Sequence, residues 1–66
     1  MDASVVDGRL TQVKDNEVTL TDGESTSTYK TELAEFKNEQ WVVDTLGQWI
    51  RCKVVDRQIV SVESQS

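Results

Sequence analysis

Residues 48–63 read QWIRCKVVDRQIVSVE, and the alternation of apolar and polar side chains in this stretch predicts the β-hairpin on which the fold is built. Successive side chains of a strand point to opposite faces of the sheet, so a half-buried strand repeats with a period of two. The side chains expected to point into a core are Ile50, Cys52 and Val54. Those expected to point outward are Trp49, Arg51, Lys53 and Val55.

The turn after this strand can be built in two ways, and the choice decides which residues of the second strand point inward. A two-residue turn at residues 56–57 pairs Val54 with Ile59. It also sets Val62 across from Arg51, which mixes a core residue with a charged one.

A three-residue turn at residues 56–58 keeps the two apolar sets on one face, and we expect this turn. It pairs Val55 with Ile59, so both lie on the outer face. The remaining pairs in this register are Val54 with Val60, Cys52 with Val62, and Arg51 with Glu63. This turn offers no glycine for the left-handed position that such loops favour.

The composition predicts one small acidic domain over residues 1–66. Seven basic and twelve acidic residues give a net charge of −5, which repels nucleic acid unless the cations cluster. Residues 48–66 carry three basic and two acidic residues, so clustering is weak. One Cys and no His exclude an internal disulfide and an ordinary zinc site, and we expect no metal or cofactor. Association is the remaining way to stabilise so short a chain, so we expect a homo-oligomer.

Neither a membrane segment nor a secretory signal is predicted. No stretch approaches the length of a transmembrane helix, and the first residues, MDASVVDG, lack both a basic start and an apolar run. We therefore expect a cytoplasmic protein with a reduced Cys52. Residues 1–4 and 64–66 are expected to be loose tails.

A first hairpin is predicted around the polar turn KDNE, residues 14–17. Asp and Asn tolerate the left-handed backbone of tight hairpin turns, so we place the turn at Asp15 and Asn16. The resulting pairs are Val13 with Val18 and Thr11 with Leu20.

The strand before this turn is expected to be irregular. Gly8 within it marks a bulge or a tight bend. Leu10 and Val13 do not share a parity. This indicates either a bulge between them or a curved strand whose halves serve different parts of a barrel.

The middle of the chain leaves two alternatives open. Residues 24–28, ESTST, form either a flexible loop or an exposed edge strand, since Ser favours loops and Thr favours sheets. Residues 31–37, TELAEFK, are the helical candidate, with Thr31 as its cap and Lys37 in its last turn, but they could also form a strand. Residues 41–43, WVV, are predicted as the next strand, and residues 45–47 as a turn.

This layout resembles the small Greek-key barrels of the OB, SH3-like and Sm-like types. Residues 8–23, GRLTQVKDNEVTLTDG, resemble their opening hairpin, and residues 46–54, LGQWIRCKV, resemble a later strand. The Sm-like family binds RNA through an Asp and an Asn, but Lys37 and Trp41 occupy those positions, so no RNA site is implied. We expect a small all-β, mainly antiparallel barrel of five or six strands, with one short helix over residues 31–37.

Catalytic chemistry finds little support in the residues present. A Cys nucleophile needs a base, commonly His, and the chain has none. Cys52 is therefore interpreted as a small buried apolar residue. The carboxylates at Asp15, Asp22 and Asp56 coincide with turn signals, so we interpret them as turn formers.

The expected function is a non-enzymatic interaction or inhibitor module that binds another protein or itself. The expected binding residues are Trp49, Arg51, Lys53, Val55 and Ile59. The alternative is an OB-like binder of single-stranded nucleic acid or an oligosaccharide through Trp49, Arg51 and Lys53, because bases stack on aromatic rings beside cations. A third interpretation is that Trp49 caps one end of the barrel as part of its core.

Overall fold

The computed structural model describes residues 2–64, which form five strands and two short helical segments. The strands are β1 (Ser4–Lys14), β2 (Glu17–Thr21), β3 (Thr26–Thr31), β4 (Trp49–Val55) and β5 (Gln58–Ser64). A 3₁₀ turn (Ala34–Lys37) and helix α1 (Glu39–Thr45) lie between β3 and β4. The mainly β class is confirmed. Strands reach Ser4 and Ser64, one residue into each segment expected to be a tail, and residues 1, 65 and 66 lie outside the described part.

The five strands form one mixed sheet that closes into a ring in the order β1-β2-β3-β5-β4. All neighbouring strands are antiparallel except β3 and β5, which run parallel. The ring surrounds a single core. Its buried apolar side chains are Leu10, Val18, Leu20, Phe36, Ile50, Cys52, Val54 and Ile59.

Strand β1 is long and changes partner along its length. Its first half pairs with β4 as far as Arg9, and its second half, from Arg9, pairs with β2. The register shifts between Leu10 and Gln12, as a bulge would produce. The shift lets fully buried Leu10 and half-buried Val13 both face the core. The bulge is therefore the explanation of their unequal parity that is confirmed, since both residues lie in the half of β1 that pairs with β2.

The first hairpin has the predicted turn. Asp15 and Asn16 adopt φ angles of 53° and 62°, and Val13 pairs with Val18. Two positive φ angles in a two-residue turn match the right-handed twist of the flanking strands. The predicted pair of Thr11 with Leu20 is wrong, because the shifted register pairs Leu20 with Leu10.

The last hairpin has a different turn from the expected one. Asp56 and Arg57 form a two-residue turn with φ angles of 51° and 62°, so Val54 pairs with Ile59. The predicted three-residue turn and the outward placement of Ile59 are therefore wrong. Ile59 is 1% exposed and belongs to the core.

A register shift after Ile59 resolves the conflict that disfavoured the shorter turn. The shift lies between Lys53 and Val54, leaves Val60 without a paired residue, and restores the expected pairs of Cys52 with Val62 and Arg51 with Glu63. A bulge thus combines the shorter turn with an apolar inner face, an arrangement that neither unbulged register provides.

The segment between β3 and β4 corrects two predictions. The helix expected over residues 31–37 is reduced to the 3₁₀ turn, and Thr31 ends β3 as a buried residue. The strand expected over residues 41–43 is part of α1. Its cap is Asn38, whose side-chain oxygen accepts the backbone N–H of Trp41 at 3.0 Å. Trp41, Val42 and Thr45 then point toward the protein with helical spacing, which outweighs the strand preference of Val-Val.

The helical segment joins the core through two aromatic rings. Phe36 is buried, and Trp41 packs on the core with its ring edge-on to Phe36, the two centroids 5.1 Å apart. Edge-to-face contact between aromatic rings adds to the stabilisation from burial. A seven-residue helix is marginal by itself, so this contact and the cap hold it in place.

Residues 24–28, for which a loop and a strand were both open, form part of a turn and the start of a strand. Glu24 and Ser25 follow the turn at Asp22, and Thr26 begins β3. Strand β3 pairs with β2 along Thr26–Lys30 and with β5 at its last two residues. The edge-strand alternative is therefore the better description of residues 26–28.

Candidate interaction surface

The outward side chains of β1, β4 and β5 form three rows, which together we call the outer face. The strand registers place neighbours in each row directly opposite one another. The rows are Val5–Lys53–Ser61, Asp7–Arg51–Glu63 and Arg9–Trp49. Outward residues alternate with core residues along β4, so the packing of the core residues fixes the positions of the outward side chains.

The middle row is a charge-paired ladder. Arg51 Nε donates to Asp7 Oδ1 at 2.8 Å, and Arg51 Nη2 donates to Asp7 Oδ2 at 3.3 Å. These hydrogen bonds hold the pKa of Asp7 below its usual value and raise the pKa of Arg51. Glu63 contributes to the raised pKa of Arg51 through its charge. A guanidinium bonded to one carboxylate and close to another is a poor phosphate ligand, which weakens the role expected for Arg51 in nucleic acid binding.

Trp49 lies at one end of the outer face. Its side chain is 41% exposed, and the guanidinium carbon of Arg9 lies 5.9 Å from its ring centroid. The interpretation of Trp49 as a core residue that caps the barrel is therefore wrong. An exposed indole beside an arginine can stack on a planar or apolar group while the cation orients it.

The other end of the outer face combines apolar groups with a free cation. Val5 is 62% exposed. Val60 is 44% exposed, and the bulge leaves it without a paired residue on β4. Lys53 lies beside Val5 and forms no salt bridge within residues 2–64. A groove of about 410 Å³ lies between Val5 and Lys53 on one side and Arg51 and Glu63 of the middle row on the other.

Four of the five predicted binding residues share one side of β4, and the fifth does not join them. Trp49, Arg51 and Lys53 are exposed, and Val55 is half-buried. Ile59 is buried, so it does not lie beside Val55 on the outer face.

Sequence reasoning missed the contribution of β1 to this surface. Val5, Asp7 and Arg9 alternate with inward residues, which is a period-two signal in the sequence. Their position next to β4 depends on a pairing between residues forty or more positions apart, which no local pattern specifies. The bulge that exposes Val60 was missed because only unbulged registers of the last hairpin were considered.

The remaining candidate residues have structural roles. Cys52 is fully buried, and this burial raises the pKa of its thiol to about 11, far from the reactive thiolate. Asp22 Oδ1 accepts the backbone N–H groups of Glu24 and Ser25, each at 2.9 Å, and these bonds lower its pKa. Asp15 and Asp56 lie in the two hairpin turns.

The described residues contain no cluster of three side chains suited to hold a metal ion. Within residues 2–64, no helix combines the length and apolar character needed to cross a bilayer. Comparison with protein-family models gives no match, and comparisons with curated proteins and with solved structures give none either.

Proposed function

We propose that this chain is a non-enzymatic, acidic interaction or inhibitor module that docks onto another protein through its outer face. The observation that carries the proposal is the exposure of Trp49. A core this small gains from every large side chain it can bury, yet this indole stays 41% exposed. Tryptophan, tyrosine and arginine are the residue types that most often dominate binding energy at protein interfaces.

The surroundings of Trp49 fit a protein partner better than a polyanion. Val5 and Val60 add exposed apolar area, and Asp7 and Glu63 interrupt the cations. Mixed charges around apolar anchors are typical of protein interfaces, whereas nucleic acid sites concentrate positive charge. The net charge of −5 reinforces this preference.

We also propose that the ring of strands is an OB-type barrel. The helical segment between β3 and β4 supports this type, because the OB fold carries its helix between the third and fourth strands. The assignment predicts NMR contacts in solution that join β3 to β5 in parallel register and the helical segment to the core.

Affinity capture tests the docking proposal. Wild-type protein and the variants Trp49→Ala and Val5→Lys are immobilised and exposed to extract of the native host. A matched control is Thr28→Lys on the exposed opposite side of the ring, at β3. A retained protein is then purified and its affinity measured directly.

We expect a partner that binds wild type and the Thr28→Lys control alike. Trp49→Ala is expected to weaken the purified complex by about 2 kcal/mol, roughly thirtyfold, as truncation of an interfacial anchor does. Equal affinities of wild type and both outer-face variants would contradict docking through this surface.

A second candidate function is the binding of single-stranded nucleic acid or an oligosaccharide through Trp49, Arg51 and Lys53. The placement of Arg9 over the Trp49 ring favours it, since stacked rings and cations hold bases in single-strand binders. Titration with oligothymidylate and with short oligosaccharides, followed by tryptophan fluorescence, tests it. Binding that disappears in Trp49→Ala would support this function over the first, and weakening of that binding by salt would indicate nucleic acid rather than an uncharged oligosaccharide.

A further inference from the structure

Strand β5 is paired along its whole length on one side only. It pairs with β4 from Gln58 to Ser64, but with β3 only at Gln58 and Ile59. Backbone hydrogen bonds made by turns and loops within residues 2–64 do not reach residues 60–64. The pairings among the described residues therefore leave a free edge on β5, over residues 60–64.

This edge has little of the protection that free edges in stable monomers usually carry. Unpaired backbone N–H and C=O groups are a template for another strand, and proteins commonly block them with proline, lysine or a bulge. The chain contains no proline, and the bulge lies at Val60, at one end of the segment. Residues 61–64, SVES, carry one charge, on Glu63.

We propose that this edge pairs with β5 of a second copy of the chain, in antiparallel orientation about a two-fold axis at Val62. The inference goes beyond the docking of another protein proposed above, because it names the β5 edge as the surface and a second copy of the chain as the partner. A two-fold axis matches each residue of the segment with its mirror position, and Val62 is the middle of residues 60–64. Ser61 then faces Glu63 of the second copy, and Val60 faces Ser64.

The charges of the outer face are complementary in this arrangement. The row Asp7–Arg51–Glu63 of one copy continues into Ser61 and Lys53 of the second copy. Lys53 and Glu63 of different copies lie two strands apart, roughly 10 Å between backbones at a strand spacing of about 4.8 Å. Small Ser61 lies between them, so the two long side chains can meet above it.

The dimer also accounts for Lys53, which has no salt bridge among the described residues of the single chain. Pairing brings Glu63 of one copy near Lys53 of the other, and the two-fold symmetry makes this contact twice. It joins the two outer faces into one sheet surface of six strands. Val62, half-buried in the single chain, becomes covered at the axis.

Sedimentation equilibrium between about 10 μM and 1 mM tests the association of the wild-type chain. A short edge gives only about four to six backbone hydrogen bonds, so we expect a weak dimer within this range. Lys53→Glu and Glu63→Lys each place like charges in the shared row. We expect each to raise the dissociation constant about tenfold, and the double variant to restore most of the loss. Glu24→Lys is the control, because it makes the same charge change as Glu63→Lys but lies in a distant turn.

Disulfide trapping tests the register. Ser61→Cys and Glu63→Cys proteins are mixed and oxidised, because directly opposed residues of antiparallel strands have Cα atoms about 4.5–5.5 Å apart, within the range of about 4.4–6.8 Å that a disulfide spans. We expect the mixture to cross-link much faster than Ser61→Cys mixed with Glu24→Cys. Buried Cys52 takes no part.

Two outcomes overturn the edge dimer. One is a monomer at every concentration. The other is a dimer in which the 61/63 mixture cross-links no faster than the control and the charge variants have no effect. Neither outcome removes docking of a different protein on the outer face, which the capture experiment with Trp49→Ala decides separately.

Discussion

Gly8 and Leu20 meet where β1 leaves β4 and joins β2, and a Cβ at Gly8 would lie 3.0 Å from the Cβ of Leu20. The same Cβ would lie 3.3 Å from the carbonyl oxygen of Thr21. Gly8 does not have a positive φ angle, so any residue can adopt its backbone. Glycine is favoured here because two strands approach closely, and Leu20, 3% exposed, is packed in the core.

Gly8→Ala is expected to lower the free energy of unfolding by about 1–3 kcal/mol, the usual cost of overpacking a core. The sign of the change is the decisive readout in urea unfolding. Where the added methyl fits, Gly→Ala stabilises by about 0.4–1 kcal/mol, because it restricts the unfolded chain. A stabilised Gly8→Ala variant would therefore contradict the close approach to Leu20.

Ile59→Ala is expected to cost about 2–5 kcal/mol, because it removes a side chain that is 1% exposed. Ile59→Lys is expected to unfold the domain, whereas an outward Ile59 would tolerate lysine. Its neighbour Val60, 44% exposed, supplies the control, since Val60→Lys is expected to change stability by no more than about 0.5 kcal/mol. Circular dichroism and urea unfolding compare the three variants with wild type. If lysine were tolerated equally at positions 59 and 60, the result would support the three-residue turn instead.

Asn38→Ala is expected to lower stability by about 0.5–2 kcal/mol through loss of the cap on α1. Asn38→Asp keeps an oxygen that can accept the Trp41 N–H and places a negative charge at the start of the helix, so it is expected to retain stability. Thermal unfolding measures both variants. If residues 41–43 formed a strand, the two variants would behave alike.

Cys52 is expected to react slowly with thiol reagents at neutral pH, because it is fully buried and its pKa is raised to about 11. The raised pKa also predicts alkaline destabilisation. The buried thiol binds its proton more tightly in the folded state than in the unfolded chain, where its pKa is near the ordinary value of 9.0. Its contribution is therefore complete below pH 9 and is lost as the pH rises toward about 11.

Denaturant titrations of wild type and Cys52→Ala between pH 8 and about 11 isolate this contribution. The variant is expected to be less stable at neutral pH but to lose less stability on alkalinisation. Parallel curves for the two proteins, or rapid stoichiometric labelling of the folded wild type, would show that the thiol is not buried.

Short-range patterns in the sequence predicted much of the sheet. The alternation of Ile50, Cys52 and Val54 correctly identified the inward face of β4, because side-chain parity in a strand is a local property. The Asp15-Asn16 turn was predictable because these residues tolerate the left-handed backbone, and the structure has that conformation at both. The exposure of Arg51 and Lys53 followed from the same parity.

The sequence contains signals for α1, but the helix was predicted over residues 31–37 instead of Glu39–Thr45. Asn38 followed by Glu39 is an N-terminal helix signal, and Trp41, Val42 and Thr45 share a face at helical spacing. The run Trp41-Val42-Val43 also suits a strand, and local preference does not separate the two. Packing of Trp41 against Phe36 decides between them.

The sequence by itself determined a small, acidic, mainly β chain, the parity of β4, the first turn and a buried Cys52, because each follows from neighbouring residues or from composition. Only the tertiary structure decided the position of Ile59, since a bulge lets a two-residue turn coexist with the apolar face. It also decided the pairing of Asp7 with Arg51 and the free edge of β5. These depend on which strands meet around a closed ring, and that choice is made by the packing of the whole core.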